Sequence, residues 1–311
     1  MLQVIEQLFF SADFLTATVR LSVALIFVAA GEIFAERSGV VNIGLEGMML
    51  VGAFMAVVGS FLAGTPWGGV LMAVLGGGLI ALLLAYVSIT LAGDQIVCGV
   101  ALNIACLGLT TFLSRTLWGV GKNPEVPQFK PIEVAGLSDL RFVGEVFFHY
   151  PPLTYMAFGV LPLVAWVLFR TRWGLNIQAV GEHPRSADSV GISVAGTRYL
   201  TVILSGMFAG LGGAYLSISQ LNTFVEGMTG GRGFIALAIV IVAKWFPYRA
   251  AVVALLFGAA EALSLRLEAL GIPIPSQALR MFPYAFTLVV YAGLVGKTRP
   301  PAAITIPYLK D

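Results

Sequence analysis

Charge is scarce in this chain. Its 311 residues include 18 basic and 16 acidic side chains, 11% in all, against 58% hydrophobic residues. A soluble globular chain carries about 25% charged residues and uses them to cover its surface. That cover is missing here, so lipid must be the solvent for much of the chain, and the sequence reads as a polytopic membrane protein. A net charge of only +2 gives no support to nucleic-acid binding. Cysteine is nearly absent. Cys98 and Cys106 share one apolar run, about 12 Å apart along a helix axis, too far for a disulfide, and read as packing residues. The two histidines, His149 and His183, have no cysteine or acidic cluster beside them, so no metal site is expected.

Catalytic and nucleotide motifs are missing too. Gly296-Lys297-Thr298 is similar to the end of a phosphate-binding loop, but the first glycine of such a loop would fall at Tyr291. Gly210-Leu211-Gly212-Gly213 lies inside an apolar run rather than after a strand. With Gly206 it makes a small-residue face suited to close helix packing. No Ser-His-Asp or paired-carboxylate arrangement appears outside the apolar runs. A chain without catalytic chemistry is expected.

What is present is a series of apolar runs long enough to span a bilayer. Nine read as spans: 14–35, 40–63, 68–92, 96–118, 152–170, 198–219, 230–246, 250–270 and 280–296. Frequent Gly and Pro leave room for eight or ten. The fold class expected is an all-α transmembrane bundle, one domain over 1–311. The first run lacks a basic leader and reads as a retained span. The glycine-rich stretch from Gly39 to Phe61 is a candidate for a broken or re-entrant helix. Basic residues set the orientation. With residues 171–197 inside, ten Lys or Arg lie at inner ends against three, Lys122, Lys130 and Arg141, outside. The N-terminus is then outside and the C-terminus inside. The proline-rich outer loop, 119–151, is either a docking platform for an extracytoplasmic partner or a solvated connector.

Two groups of residues stand out. Ionisable groups inside a membrane cost roughly 2.5–3.5 kcal/mol each and usually face a cavity or a partner. Asn42 and Glu46, one helical turn apart, Asn103, Arg232 in Gly230-Gly231-Arg232-Gly233, and Glu261 are such groups. Gln277 precedes the last run. Either they line a pathway, with Phe234 for an aromatic ligand face, or Glu46 and Glu261 pair with Arg232 and Arg266 to hold helices together. Glu32, Glu36 and Arg37 read as capping or anchoring residues at the membrane edge. The second group is the 171–197 loop. Residues 174–181 form a short helix on sequence grounds, and Pro184 opens a second that Gly191 ends. Joined at Gly181, the two make a knob able to enter a groove on a partner; the plainer reading is an amphipathic connector.

Three segments resemble a known family. They are Gly31 to Met49 (GEIFAERSGVVNIGLEGMM), Ala179 to Ile192 (AVGEHPRSADSVGI), and Gly230 to Ala238 (GGRGFIALA) with Lys244-Trp245 and Pro247. Over about residues 14–296 the chain is similar to permease subunits of bacterial ABC importers for nucleosides and simple sugars, within the ribose-type and branched-chain amino-acid permease group. His183 stands where Asn is more usual in that family. The resemblance implies an inverted internal organisation, with spans two to five and six to nine as the related halves. It implies that Gly181, Glu182, His183, Pro184, Arg185, Ala187, Asp188 and Gly191 couple to an ATPase, which binds ATP and Mg²⁺; no cofactor is expected in this chain. It further implies a second, different permease subunit, an extracytoplasmic binding protein and a bacterial inner-membrane location. Nucleoside leads as substrate, ahead of simple sugars, nucleobases, a riboflavin-like compound or a branched-chain amino acid. An ion-driven secondary transporter and a membrane-embedded enzyme or scaffold are the rival classes, and the 171–197 loop discriminates against both.

Overall fold

A computed structural model describes residues 11–133, 143–270 and 299–309, with Met281 and Ala285 besides. In chain order the helices are α1 (Ala12–Arg37), α2 (Leu45–Ala63), α3 (Pro66–Ala85), α4 (Gln95–Trp118), α5 (Val143–Phe147), α6 (Pro152–Arg170), α7 (Arg172–Glu182), α8 (Pro184–Ser189), α9 (Val194–Tyr215), α10 (Arg232–Val242) and α11 (Pro247–Ala269). The fold is all-α apart from a two-stranded antiparallel ribbon, β1 (Ile132–Glu133) with β2 (His149–Tyr150). Seven of the described helices are long and apolar enough to cross a membrane. Their ends follow local chemistry. Asp94 accepts from the Ile96 and Val97 amides at 2.8 and 3.0 Å to cap α4, Ser193 caps α9, and proline opens α3, α6, α8 and α11.

The expectation of nine full spans needs correction. The stretch 230–246 is not a span but the 11-residue α10, about 16 Å long. The stretch 40–63 becomes helical only at Leu45. The last expected span, 280–296, and Gln277 lie outside the described residues. Both α2 and α10 therefore begin within the bundle. Gly212 of α9 lies against Ala24 and Val28, midway along α1, and Gly213 lies against Met49 in the first turns of α2. Glycine at 233 lets α10 start directly against the α2 backbone: a Cβ there would stand 2.4 Å from the Glu46 amide nitrogen.

The centre of the bundle is α9, which packs on α1, α2 and α3. Its crossing with α3 is antiparallel and reciprocal. A Cβ at Gly77 would meet the Gly206 carbonyl at 2.2 Å, and one at Gly206 would meet the Gly77 carbonyl at 2.5 Å. The same sequence spacing separates Gly77 from Gly206 and Tyr86 from Tyr215. Both helices end in π turns, Tyr86–Thr90 and Leu216–Gln220, that overlap the similar stretches Tyr86-Val87-Ser88-Ile89 and Tyr215-Leu216-Ser217-Ile218. The two turns lie at opposite ends of the bundle. Thr90 bonds Tyr199 at the start of α9, whereas the Ile218 carbonyl accepts from Phe129 of the 119–133 loop at 3.0 Å. α3 and α9 are thus related by a local two-fold axis through their glycines, a clearer internal relation than the expected division into spans two to five and six to nine.

The 119–133 loop is packed rather than loose. Val126 donates to the Asn222 carbonyl at 2.9 Å, Ser60 donates to the Pro127 carbonyl at 2.7 Å, and Phe129 meets Trp67 edge-on. It closes one end of the bundle. The other, basic end carries α7 and α8.

Glycine at the α3–α9 crossing is a steric requirement. Gly210→Val would drive a side chain into the Ala73 carbonyl, 2.2 Å from the new Cβ, and should destabilise the fold by about 3 kcal/mol or prevent its assembly. Gly108→Val, on an open face of α4 with nothing within 4 Å, should be tolerated. Monodispersity and unfolding temperature of the purified variants check this.

Candidate functional site

The polar residues inside the bundle fall into small networks, and most of them brace backbone. Glu46 lies in the first turn of α2. Its carboxylate accepts from the Thr229 hydroxyl at 2.6 Å and from the Gly231 and Gly233 amides, both at 2.8 Å. It caps α10, whose own N-cap is Gly231 at φ 86° with no side chain to offer. Asn103 of α4 does the same for α2. It accepts from the Gly47 amide at 2.8 Å and donates to the Ile43 carbonyl at 2.9 Å. Arg232 and Glu261 form an ion pair, with side chains 19% and 24% exposed. Arg232 also donates to the Met228 and Thr229 carbonyls, at 3.3 and 3.4 Å. Of the pairings weighed from the sequence, Arg232–Glu261 forms. Glu46 pairs with neither Arg232 nor Arg266, because the α10 amides occupy it; Arg266 donates to Ser11 at 2.6 Å. Phe234, in the first turn of α10, is 46% exposed.

Asn42 does not share a helical face with Glu46, because residues 38–44 are not helical. It is fully buried in a second network. Its amide donates to Glu32 at 2.9 Å and its side chain to Ser205 at 3.0 Å, while Ser205 donates to Glu32 at 2.7 Å. Glu32 is thus buried between helices rather than capping or anchoring at a surface, and ties α1, the 38–44 loop and α9. Ser38 and Thr201 bond at 2.8 Å, and Arg198, only 2% exposed, donates to the Ser38 carbonyl at 3.2 Å. At the basic end Glu36 accepts from the Trp245 indole. Arg37 donates to the Trp245 carbonyl at 3.3 Å and lies against the stacked Phe169 and Phe246 rings. At the opposite end Arg115 grips Glu226 with two bonds of 2.8 Å, and these hydrogen bonds hold the Glu226 carboxyl below its ordinary range.

The 171–197 segment forms the two short helices expected, with shifted ends. α7 begins at Arg172, capped by Thr171 at 3.1 Å, and runs through Gly181 to Glu182. The joint is therefore His183, not Gly181. Pro184 opens α8, and Gly191, at φ 87°, follows its end. Gly181 has a packing role: a Cβ there would stand 2.1 Å from the Arg37 carbonyl. Ala187 is buried with Val180 and Val194 in a small core. Glu182, His183 and Arg185 are exposed, and Pro184 and Asp188 half-buried.

Sequence reasoning missed Ser205, Thr229 and the 299–309 tail. Serine and threonine in apolar helices are common, so neither hydroxyl carried a signal. The tail stands apart as a short proline-flanked segment after the last apolar run. It lies across the knob, with Ala303 donating to the Gly181 carbonyl at 2.9 Å and Thr305 to the Gly39 carbonyl at 3.1 Å.

Apolar helices around a braced polar centre, with an ordered knob beyond one end, define a polytopic integral membrane protein of the permease type. The chain belongs to the family described as branched-chain amino acid transport system / permease component, whose model matches residues 14–295. It is 38% identical to the guanosine ABC transporter permease protein NupQ of Bacillus subtilis, over 94% of this chain and 95% of that protein. It is 39% identical to the nucleoside ABC transporter permease protein NupC of Lactococcus lactis, over 93% and 94%. A Haloferax volcanii protein provisionally named as a glucose ABC transporter permease, TsgC13, is 41% identical over 96% and 89%. The solved structure of PsaBC from Streptococcus pneumoniae in complex with Fab shares the fold, with a TM-score of 0.52, 15% identity, and 94% and 95% of the two chains covered.

The Arg232–Glu261 pair predicts a large coupling energy. Arg232→Gln or Glu261→Gln alone should destabilise the purified protein by roughly 3 kcal/mol, because each leaves an uncompensated charge. The double variant should recover most of that loss. Unfolding in mild detergent measures all three, and strictly additive losses would contradict the pairing.

Proposed function

We propose that this chain is the transmembrane subunit of an ATP-driven importer in the inner membrane, and that its substrate is a nucleoside. The match to NupQ and NupC along nearly the whole of all three chains carries this reading. The site chemistry supports it. Ribose hydroxyls and base edges suit amide, carboxylate and guanidinium groups, which Asn103, Glu261 and Arg232 supply. Phe234 offers an exposed ring for the base face. The basic end, with Arg37, Arg170, Arg172 and Arg185, faces the cytoplasm by the positive-inside rule.

The mechanism follows from the connections. An ATPase docks on α7 and α8, binds ATP and Mg²⁺, and moves the knob. α8 leads directly into α9, and Ser205 and Thr201 of α9 hold the 38–44 loop through Asn42, Glu32 and Ser38. That loop opens α2, whose Glu46 holds the start of α10. Movement at the knob therefore reaches Arg232 and Phe234 without leaving a chain of direct bonds. Phe234, in the first turn of α10, is exposed. Arg232, two residues before it, and Glu261, paired to Arg232, are part-exposed and costly to leave facing lipid. A second permease subunit, different from this one, covers that face and completes the pathway, and a binding protein delivers substrate at the end closed by the 119–133 loop.

Cells expressing this chain with its partner subunits should take up radiolabelled guanosine. Other nucleosides should compete, and leucine and glucose should not. The TsgC13 match makes glucose the second reading, and competition by glucose but not nucleosides would favour it. Phe234→Ala should reduce nucleoside uptake by roughly 5- to 100-fold, the range that loss of one base–aromatic stack implies, with assembly unchanged.

A further inference from the structure

The tail at the C-terminal end of the chain is seated, not trailing. Residues 299–309 lie along the outside of the knob, with four bonds to α7, α8 and α9 and a fifth to the 38–44 loop. Ala303 donates to the Gly181 carbonyl at 2.9 Å, and Ala302 donates to the Glu182 carboxylate at 3.4 Å. The buried Arg198 donates to the Ile306 carbonyl at 2.9 Å, and the Tyr308 hydroxyl bonds Asp188 at 3.1 Å. Between tail and knob runs a cleft of about 600 Å³. Glu182, Arg185 and Ser186 wall one side, and Ile306, Tyr308 and Leu309 the other.

The rim of this cleft is unusual for its position. Leu309 is 66% exposed and Ile306 56%. These side chains lie beyond the long helices, at the basic end that the positive-inside rule places in the cytoplasm, so water or a protein must cover them. Clustered apolar side chains on an aqueous surface mark a protein interface. The exposed Glu182 and Arg185 supply a polar rim of both signs, as such interfaces have.

We propose that the tail and the knob together form the ATPase docking groove, with the tail as its second wall. The occupant is the importer's ATPase subunit, so the inference rests on the docking of that subunit to α7 and α8. Tyr308 is a positioning residue: its bond to Asp188 sets the width of the groove at α8. The tail also ties the groove to the bundle, because Thr305 donates to the Gly39 carbonyl at the mouth of the 38–44 loop. A force on the groove is delivered to that loop by the tail as well as by α9.

The test uses the assembled importer, with Cys98 and Cys106 replaced by serine. Ser186→Cys probes the knob wall and Leu309→Cys the tail wall, each with a thiol-directed crosslinker. Crosslinks to the ATPase from both positions support the shared groove. A crosslink from Ser186→Cys alone overturns the tail's role and leaves the docking on the knob intact. Failure at both overturns the docking itself, and this inference with it. Tyr308→Phe should weaken ATPase retention on the immobilised permease on the order of tenfold to a hundredfold, as loss of one hydrogen bond to a charged group implies. The unfolding temperature of the isolated permease should not change. Retention equal to that of the unaltered chain would overturn the positioning role of Tyr308.

Discussion

Two helices begin inside this bundle, and a helix that starts away from water exposes amides with no partner of their own. Each buried donor left unmade costs roughly 1–3 kcal/mol, and lipid supplies no substitute. Glu46 answers for α10, and Asn103 for α2. Glu32 and Gln95 satisfy the loop before α2, through the Asn42 and Val41 amides at 2.9 Å each. The polar residues buried in this apolar chain are there first because backbone ends inside the membrane require them.

The same constraint joins the parts mechanically. A carboxylate that caps a neighbouring helix cannot move without carrying it or releasing it. Glu46 belongs to α2 and holds α10; Glu32 belongs to α1 and holds both the 38–44 loop and α9. The glycines at Gly77, Gly206 and Gly210 let α3 and α9 touch backbone to backbone, leaving no side-chain volume at the crossing that could yield. Through these bonds the knob is connected to the starts of α2 and α10, where Arg232 and Phe234 lie.

Much of this was legible in the sequence. Composition fixed the membrane class, proline and glycine at Pro184 and Gly191 marked the knob, and the glycines near Gly206 marked the close crossing. The polar residues inside apolar runs were visible in the sequence, but their partners were not legible. Asn42 seemed to lie on a helix with Glu46 because apolar patterning does not show that Asn42 precedes the helix start. For Glu46 the alternatives were a pathway role or an arginine partner, because side-chain charge is visible in a sequence and a bare helix N-terminus 185 residues away at Gly231 is not. The stretch 230–246 is apolar enough for a span, and only the glycines at its head hinted that it starts late. The tail was overlooked because its seating depends on backbone bonds, which any sequence can make.

Hydrogen exchange across residues 229–242 tests the bracing role of Glu46 most directly, with the permease reconstituted in lipid. Replacing Glu46 by alanine removes the acceptor for the Gly231 and Gly233 amides and leaves α10 otherwise intact. Exchange at the start of α10 should then rise by one to two orders of magnitude, about what the loss of 1.4–2.8 kcal/mol of local protection gives. The Phe234→Ala protein should exchange like the unaltered one outside residue 234. Unchanged protection of the Gly231 and Gly233 amides in the Glu46→Ala protein would contradict the view that this carboxylate holds the two internal helix starts together.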